Sequence, residues 1–141
     1  MTTDYSQVPI IQCAYQFTLE AHQTVARFPK HLRFQLGVRI IDGSQEFMER
    51  VIKANFIRDP RIRAEALSGL AELLFTSRMN IRLAKDLKAI PLGHAAQLTL
   101  RLEDLQKQLT GWLTWTRSKM QQASHSSGAG TRVKSEARPC T

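Results

Sequence analysis

Only two cysteines occur in the 141 residues, Cys13 and Cys140, at opposite ends of the chain. They make no disulfide framework, which points to a reducing compartment. No apolar run approaches the roughly 18 residues that a membrane span needs. The opening MTTDYSQVP has neither the basic nor the apolar region of a signal peptide. A cytoplasmic protein with no membrane partner is therefore expected. Alternating strand patterns are missing, and so are internal repeats. The four histidines, His22, His31, His94 and His125, show no metal-ligand spacing with acids or cysteines. No serine sits in a nucleophile elbow, and the adjacent Glu103-Asp104 cannot converge on a substrate from one helix. The tail motif GAGTRVKS spaces Gly128 and Lys134-Ser135 as a phosphate-binding loop does, but Val133 stands where that loop needs its second glycine. These absences argue against an enzyme, a metal and a cofactor.

Negative charge is the other scarcity. Lys and Arg number 20 against 12 Asp and Glu, a net charge of +8. Such a balance favours polyanionic partners. The shortage is local: ARFPKHLRFQLGVRII, from Ala26 to Ile41, holds Arg27, Lys30, Arg33 and Arg39 and no carboxylate.

What is present is helical periodicity. Pro9 suits the first turn of a helix, because its missing N–H has no partner there in any case. Ile10, Ala14, Phe17, Ala21 and Val25 then recur at three- and four-residue steps. Pro29 disfavours helical geometry at Phe28 and ends this first helix. A second helix begins near His31 or Leu32 and runs to about Arg58. Asp59-Pro60 reads as an N-cap with proline at N1, opening a third helix with Ile62, Ala66, Leu70, Leu73, Leu74, Ile81, Ala84 and Leu87 on its apolar side. Ile90-Pro91-Leu92-Gly93 breaks it. The fourth helix carries Leu98, Leu102, Leu105, Leu109, Trp112 and Thr116 in a heptad seam. Four helices with short connections predict an all-α, up-down-up-down four-helix bundle over residues 1–120. Residues 121–141 turn to Ser, Gly, Ala and scattered charge and read as a disordered basic tail.

The second helix is apolar on two sides. Phe34, Val38, Ile41, Met48, Ile52 and Phe56 form one stripe, and Leu36, Ile40, Phe47, Val51 and Ala54 a second. Gly37, Ser44 and Asn55 lie between them, and a mid-helix glycine costs about 1 kcal/mol relative to alanine. A helix buried from two directions predicts a homo-oligomer, with Phe34, Leu36, Gly37, Ile40, Phe47 and Val51 at the interface.

On the third helix Arg78, Arg82 and Lys85 share one strip, Lys88 follows a turn later, and Asp86 is the sole acid among them. Guanidinium groups match phosphate geometry. These four, with Arg27, Lys30, Arg33 and Arg39, are the expected contacts to a nucleic-acid backbone or a polymerase. No motif for reading bases occurs.

RFPKHLRFQLGVRI resembles the FP-K/R-x-x-RF-x-LG-x-RI signature of the Avd proteins, the accessory variability determinants of diversity-generating retroelements. MNIRLAKDLKAIPLGHAAQL is similar to that family's R-L-A-K/R-D-L, short loop and last helix. LTGWLTW resembles its closing G-G-W-L, with Thr110 where glycine is usual, and Asp42-Gly43 stands where helix formers are commoner. The likeness spans about residues 10–117. It implies a homopentameric barrel of four-helix protomers that binds template-repeat RNA and the retroelement reverse transcriptase, supporting mutagenic cDNA synthesis and retrohoming without catalysing them. The wider bacterial family also holds proteins encoded in intervening sequences of ribosomal RNA. That branch would make this chain a structural bundle with no reverse-transcriptase partner.

Overall fold

The computed structural model describes residues 8–125, and these are helical with no strand among them. Helix α1 is Pro9–Val25. Helix α2 covers residues 30–56 as one rod in three parts: an α turn Lys30–Leu32, a π-helical turn Arg33–Gly37 and an α-helix Val38–Phe56. Helices α3, Pro60–Asp86, and α4, Leu92–His125, complete the set. Each helix packs on its neighbours in chain order and α1 closes against α4, so the four form the expected bundle with α1 and α2 on one side and α3 and α4 on the other. Among the described residues no helix is long and apolar enough to cross a membrane.

Local chemistry sets the helix ends. Pro9 and Pro60 occupy first turns, and the Asp59 carboxylate accepts from the Arg61 N–H at 3.0 Å, which makes the predicted cap. At the far end of α3, Lys88 takes a left-handed φ of 64°, and the Ala89 N–H donates to the Ala84 carbonyl at 2.8 Å. This is the six-to-one bond of a Schellman stop, with lysine where glycine is usual.

The α1 stripe and the α4 seam are buried as the sequence predicts, with Leu105 and Trp112 wholly inside. Burying one such large side chain contributes about 1.5–3 kcal/mol. On α3 the core face is rotated from the expected one. Ala64, Leu67 and Ser77 join Leu70, Leu74, Ile81 and Ala84 inside, whereas Ile62 and Leu87 are exposed. The helix is unbroken at Asp42-Gly43, and the irregular turn lies upstream at 33–37, where the chain brings Gly37 against Val25. Helix α4 runs to His125, so residues 121–125 belong to a helix and not to a tail. The rest of the expected tail lies outside the described residues.

The α2 stripes separate cleanly. Leu36, Gly37, Ile40, Phe47 and Val51 point into the protomer's own core, so they are not available to a second chain, contrary to the sequence expectation. Phe34 alone of the six stands outside, 67% exposed. The apolar arc is wide because α2 is packed by α1 and α3 together, which consumes more of its circumference than one docking partner would.

Candidate nucleic-acid interface

The α1–α2 turn and the α3–α4 turn lie at the same end of the bundle, because helix direction alternates. The first turn brings Arg27, Lys30 and Arg33, and the second brings Lys85, Lys88 and His94. Two basic runs some fifty residues apart in sequence thus become one surface. Arg27 and His94 line a shared hollow of about 210 Å³ between α1 and α4. Lys85 and Lys88 border another beside Pro91 and Leu92.

Charge is sorted along the bundle axis into an acidic waist between two basic ends, the far one, residues 49–68 and 110–123, carrying seven Arg or Lys and three acids. At the end that holds the two turns, residues 20–39 and 79–101 carry eight Arg or Lys and two acids, Glu20 and Asp86. Both acids are engaged: Glu20 with Arg101 at 2.6 Å, and Asp86 with Arg82 at 4.0 Å and Lys85 at 3.7 Å. At the waist, residues 14–19, 40–48, 69–78 and 102–109 carry five acids and two bases. The Glu20 carboxylate beside Arg101 holds that guanidinium's pKa above its ordinary value, so it stays charged.

Backbone dipoles add to the same end. Helices α2 and α4 both start there, behind Pro29 and Pro91, whose side chains offer no hydrogen-bond acceptor, and neither has an acid in its first turn. Lys30 and His31 open α2, and His94 sits in the first turn of α4. Helix N-termini favour anions and disfavour cations, so these starts are electrostatically unfavourable without a counter-anion. Helix α3 starts at the other end with the carboxylate cap that these two lack.

The predicted contacts fall into two groups. Arg27, Lys30, Arg39 and Lys88 are exposed, and no acid lies within salt-bridge distance of them among the described residues. Arg33 is exposed too, though one of its N–H groups closes the turn on the Phe28 carbonyl at 3.3 Å. Arg78, Arg82 and Lys85 are compensated instead. Arg78 pairs with Glu103 of α4 at 3.1 Å, and the other two share Asp86. The sequence missed Glu103 because the partner is 25 residues away and meets Arg78 only across the α3–α4 seam. These three residues rim a groove of about 650 Å³ whose floor is apolar, with Ile81, Leu92, Ala95, Ala96 and Leu100. Phosphate backbones do not need such a floor.

Cys13 is half-buried, where it accepts from the Gln108 side-chain amide at 3.0 Å. Burial raises its pKa above the ordinary thiol value, and neighbouring Asp104 raises it further. Among the described residues no cluster of three or more His, Cys, Asp or Glu could hold a metal.

Fold and site together define an all-α bundle whose more cationic end is the one that gathers the α1–α2 and α3–α4 turns. The chain matches no protein-family model, no curated protein and no solved structure.

Proposed function

We propose that this protein is a non-catalytic, oligomeric RNA-binding accessory subunit, docking phosphates on the cationic end of its bundle. Its motif likeness to the Avd proteins extends the reading. The partner is then a retroelement reverse transcriptase, the bound nucleic acid a template-repeat RNA, and the assembly a homopentamer in the cytoplasm. Of the motifs' apolar positions, Phe28, Leu36, Gly37, Ile40 and Ala84 are buried at the bundle end, while Phe34, Leu83 and Leu87 are exposed beside the basic ones. The fold thus accounts for the buried positions of each motif and leaves the exposed ones, basic and apolar, for a partner.

Lys88 carries the reading furthest. A side chain in the left-handed region costs roughly 1–2 kcal/mol where glycine costs nothing. The chain accepts that cost at the tip of its most cationic surface, with the ammonium group exposed. Strain of this kind is enriched at functional sites.

The test is the salt dependence of single-stranded RNA binding, measured by fluorescence anisotropy. The triple variant Arg27→Gln, Lys30→Gln, Lys88→Gln is expected to bind more weakly on every RNA sequence tried. Its log–log salt slope falls by about 2 per protomer, at roughly 0.7 for each lost contact. An unchanged slope refutes the surface. For the polymerase, co-purification with a reverse transcriptase encoded beside this gene is the direct check.

A further inference from the structure

Several apolar side chains remain outward after the core is built, among them Phe75, Met79 and Leu83 along α3, and two of the surfaces they leave differ in shape and charge. On α2, Phe34 and Val38 are 67% and 43% exposed, with the exposed carboxylate of Asp42 one turn beyond Val38. On the opposite side lies the α3–α4 groove. Leu92 and Leu100 stand 73% and 64% exposed on it, Ala95 and Ala96 leave room between them, and Arg78 and Arg82 edge it. One surface is a ridge of bulky side chains with an acid, and the other is a hollow with two alanines between exposed leucines, edged by Arg82 and by Arg78 with its partner Glu103.

The two surfaces stand at the same height. Gly43 meets Ser77 across the α2–α3 contact, a Cβ on the glycine falling 3.2 Å from the serine oxygen. From that contact toward the cationic end, Asp42 and Arg78 are each one residue away. Val38 and Arg82 are each five residues away, about 7.5 Å at 1.5 Å per residue. A neighbouring copy placed without axial shift therefore sets ridge opposite groove and Asp42 opposite Arg78.

We propose that the Phe34–Val38 ridge of one copy docks in the α3–α4 groove of the next, with Asp42 facing Arg78 and Arg82. This rests on the oligomeric part of the reading above and not on its RNA part. Ridge and groove are different surfaces on opposite sides, so the contact is head-to-tail. Equal height means that successive copies follow one another with little translation along the bundle axis, and a ring closes when the angle between ridge and groove turns each copy relative to the last. Every cationic end then lies on the same rim, and one RNA strand meets several of them.

The experiment uses sedimentation velocity on the full chain at micromolar concentration, with circular dichroism melts to confirm folding. Wild type is expected at a multiple of its 16.0 kDa protomer mass. Phe34→Glu blocks the ridge, Ala96→Glu blocks the groove, and each is expected as a monomer. Val38→Glu and Leu100→Glu stand in for either variant if it melts early. The decisive sample is an equimolar mixture of the two. Each variant keeps one intact surface, so the mixture forms a one-to-one dimer of about 32 kDa, twice the 16.0 kDa chain, and nothing larger. A wild type that sediments as a monomer overturns this proposal together with the oligomeric reading. If wild type assembles but either blocked variant assembles equally well, the assembly stands and these faces are wrong. A mixture that stays monomeric also overturns the head-to-tail pairing. RNA binding by the monomeric variants, read by anisotropy, is expected to persist at reduced affinity, and its complete loss would count against a cationic end that acts in each protomer.

Discussion

Gly37 offers the sharpest test of how α1 and α2 fit together. A Cβ built on it falls 2.5 Å from Cγ1 of Val25, and the next nearest side-chain atom is Cδ2 of Phe28 at 3.6 Å. Carbon atoms rest at about 3.5–4.0 Å, so one helix must move by roughly an ångström or Val25 must leave its rotamer. Overpacking of that kind costs about 1–3 kcal/mol. Against it stands the gain of about 1 kcal/mol when a helical glycine becomes alanine. Gly37→Ala is therefore expected to destabilise the protein by about 1 kcal/mol net, lowering Tm by roughly 3–5 °C for a domain of this size. Gly93 is the internal control. It has open space around it, so Gly93→Ala keeps the propensity gain and raises Tm. Val25→Ala removes the opposing methyl groups and costs about 1.6 kcal/mol at roughly 0.8 per buried carbon. In the double variant Gly37→Ala, Val25→Ala the clash is gone, and the double is as stable as Val25→Ala alone or more so. That is a favourable coupling of about 1 kcal/mol or more. The assay is thermal and urea denaturation at one fixed protomer concentration. If Gly37→Ala raises Tm as much as Gly93→Ala does, the close approach inferred at this corner is wrong.

Lys88→Gly relieves the left-handed turn and is expected to stabilise by about 1 kcal/mol, while RNA affinity falls; a variant that gains stability with no loss of binding makes Lys88 merely tolerated. Asp59→Ala removes the carboxylate that accepts from the Arg61 N–H, and urea melts should show a loss of about 1 kcal/mol. The raised pKa of Cys13 keeps its thiol protonated, so in a Cys140→Ser background its alkylation at pH 8 should be slower than that of the unfolded chain. For the same group the sign of the pH dependence is fixed: its contribution to stability is complete below the unfolded pKa and is lost as pH rises through the higher folded value, so a Cys13→Ser variant should lose less stability than wild type above about pH 9. The Thr116 hydroxyl is buried with no hydrogen-bond partner among the described residues, and Thr116→Val should leave Tm unchanged or raise it.

The helical class and the element order were written in local signals. Proline at N1, the Asp59 cap and the Pro29 and Pro91 stops act within a few residues, and the α1 and α4 stripes follow from 3.6-residue periodicity alone. Such signals specify where a helix lies and which side is apolar, because their energetics do not depend on the rest of the chain. They do not specify how many neighbours an apolar side will meet. The breadth of the α2 arc pointed to a second chain, yet the folded protomer spends most of it on α1 and α3 and leaves the Phe34–Val38 ridge and Phe56 outside. Charge shows the same division. The sequence located both basic runs, but it could not see that Glu103 would reach Arg78, or that alternating helix direction would bring Arg27, Lys30 and Lys88 to one end. Pairing and clustering of charge are distances through space. In a bundle those distances are set by how helices tens of residues apart align, and only the packed core decides that alignment.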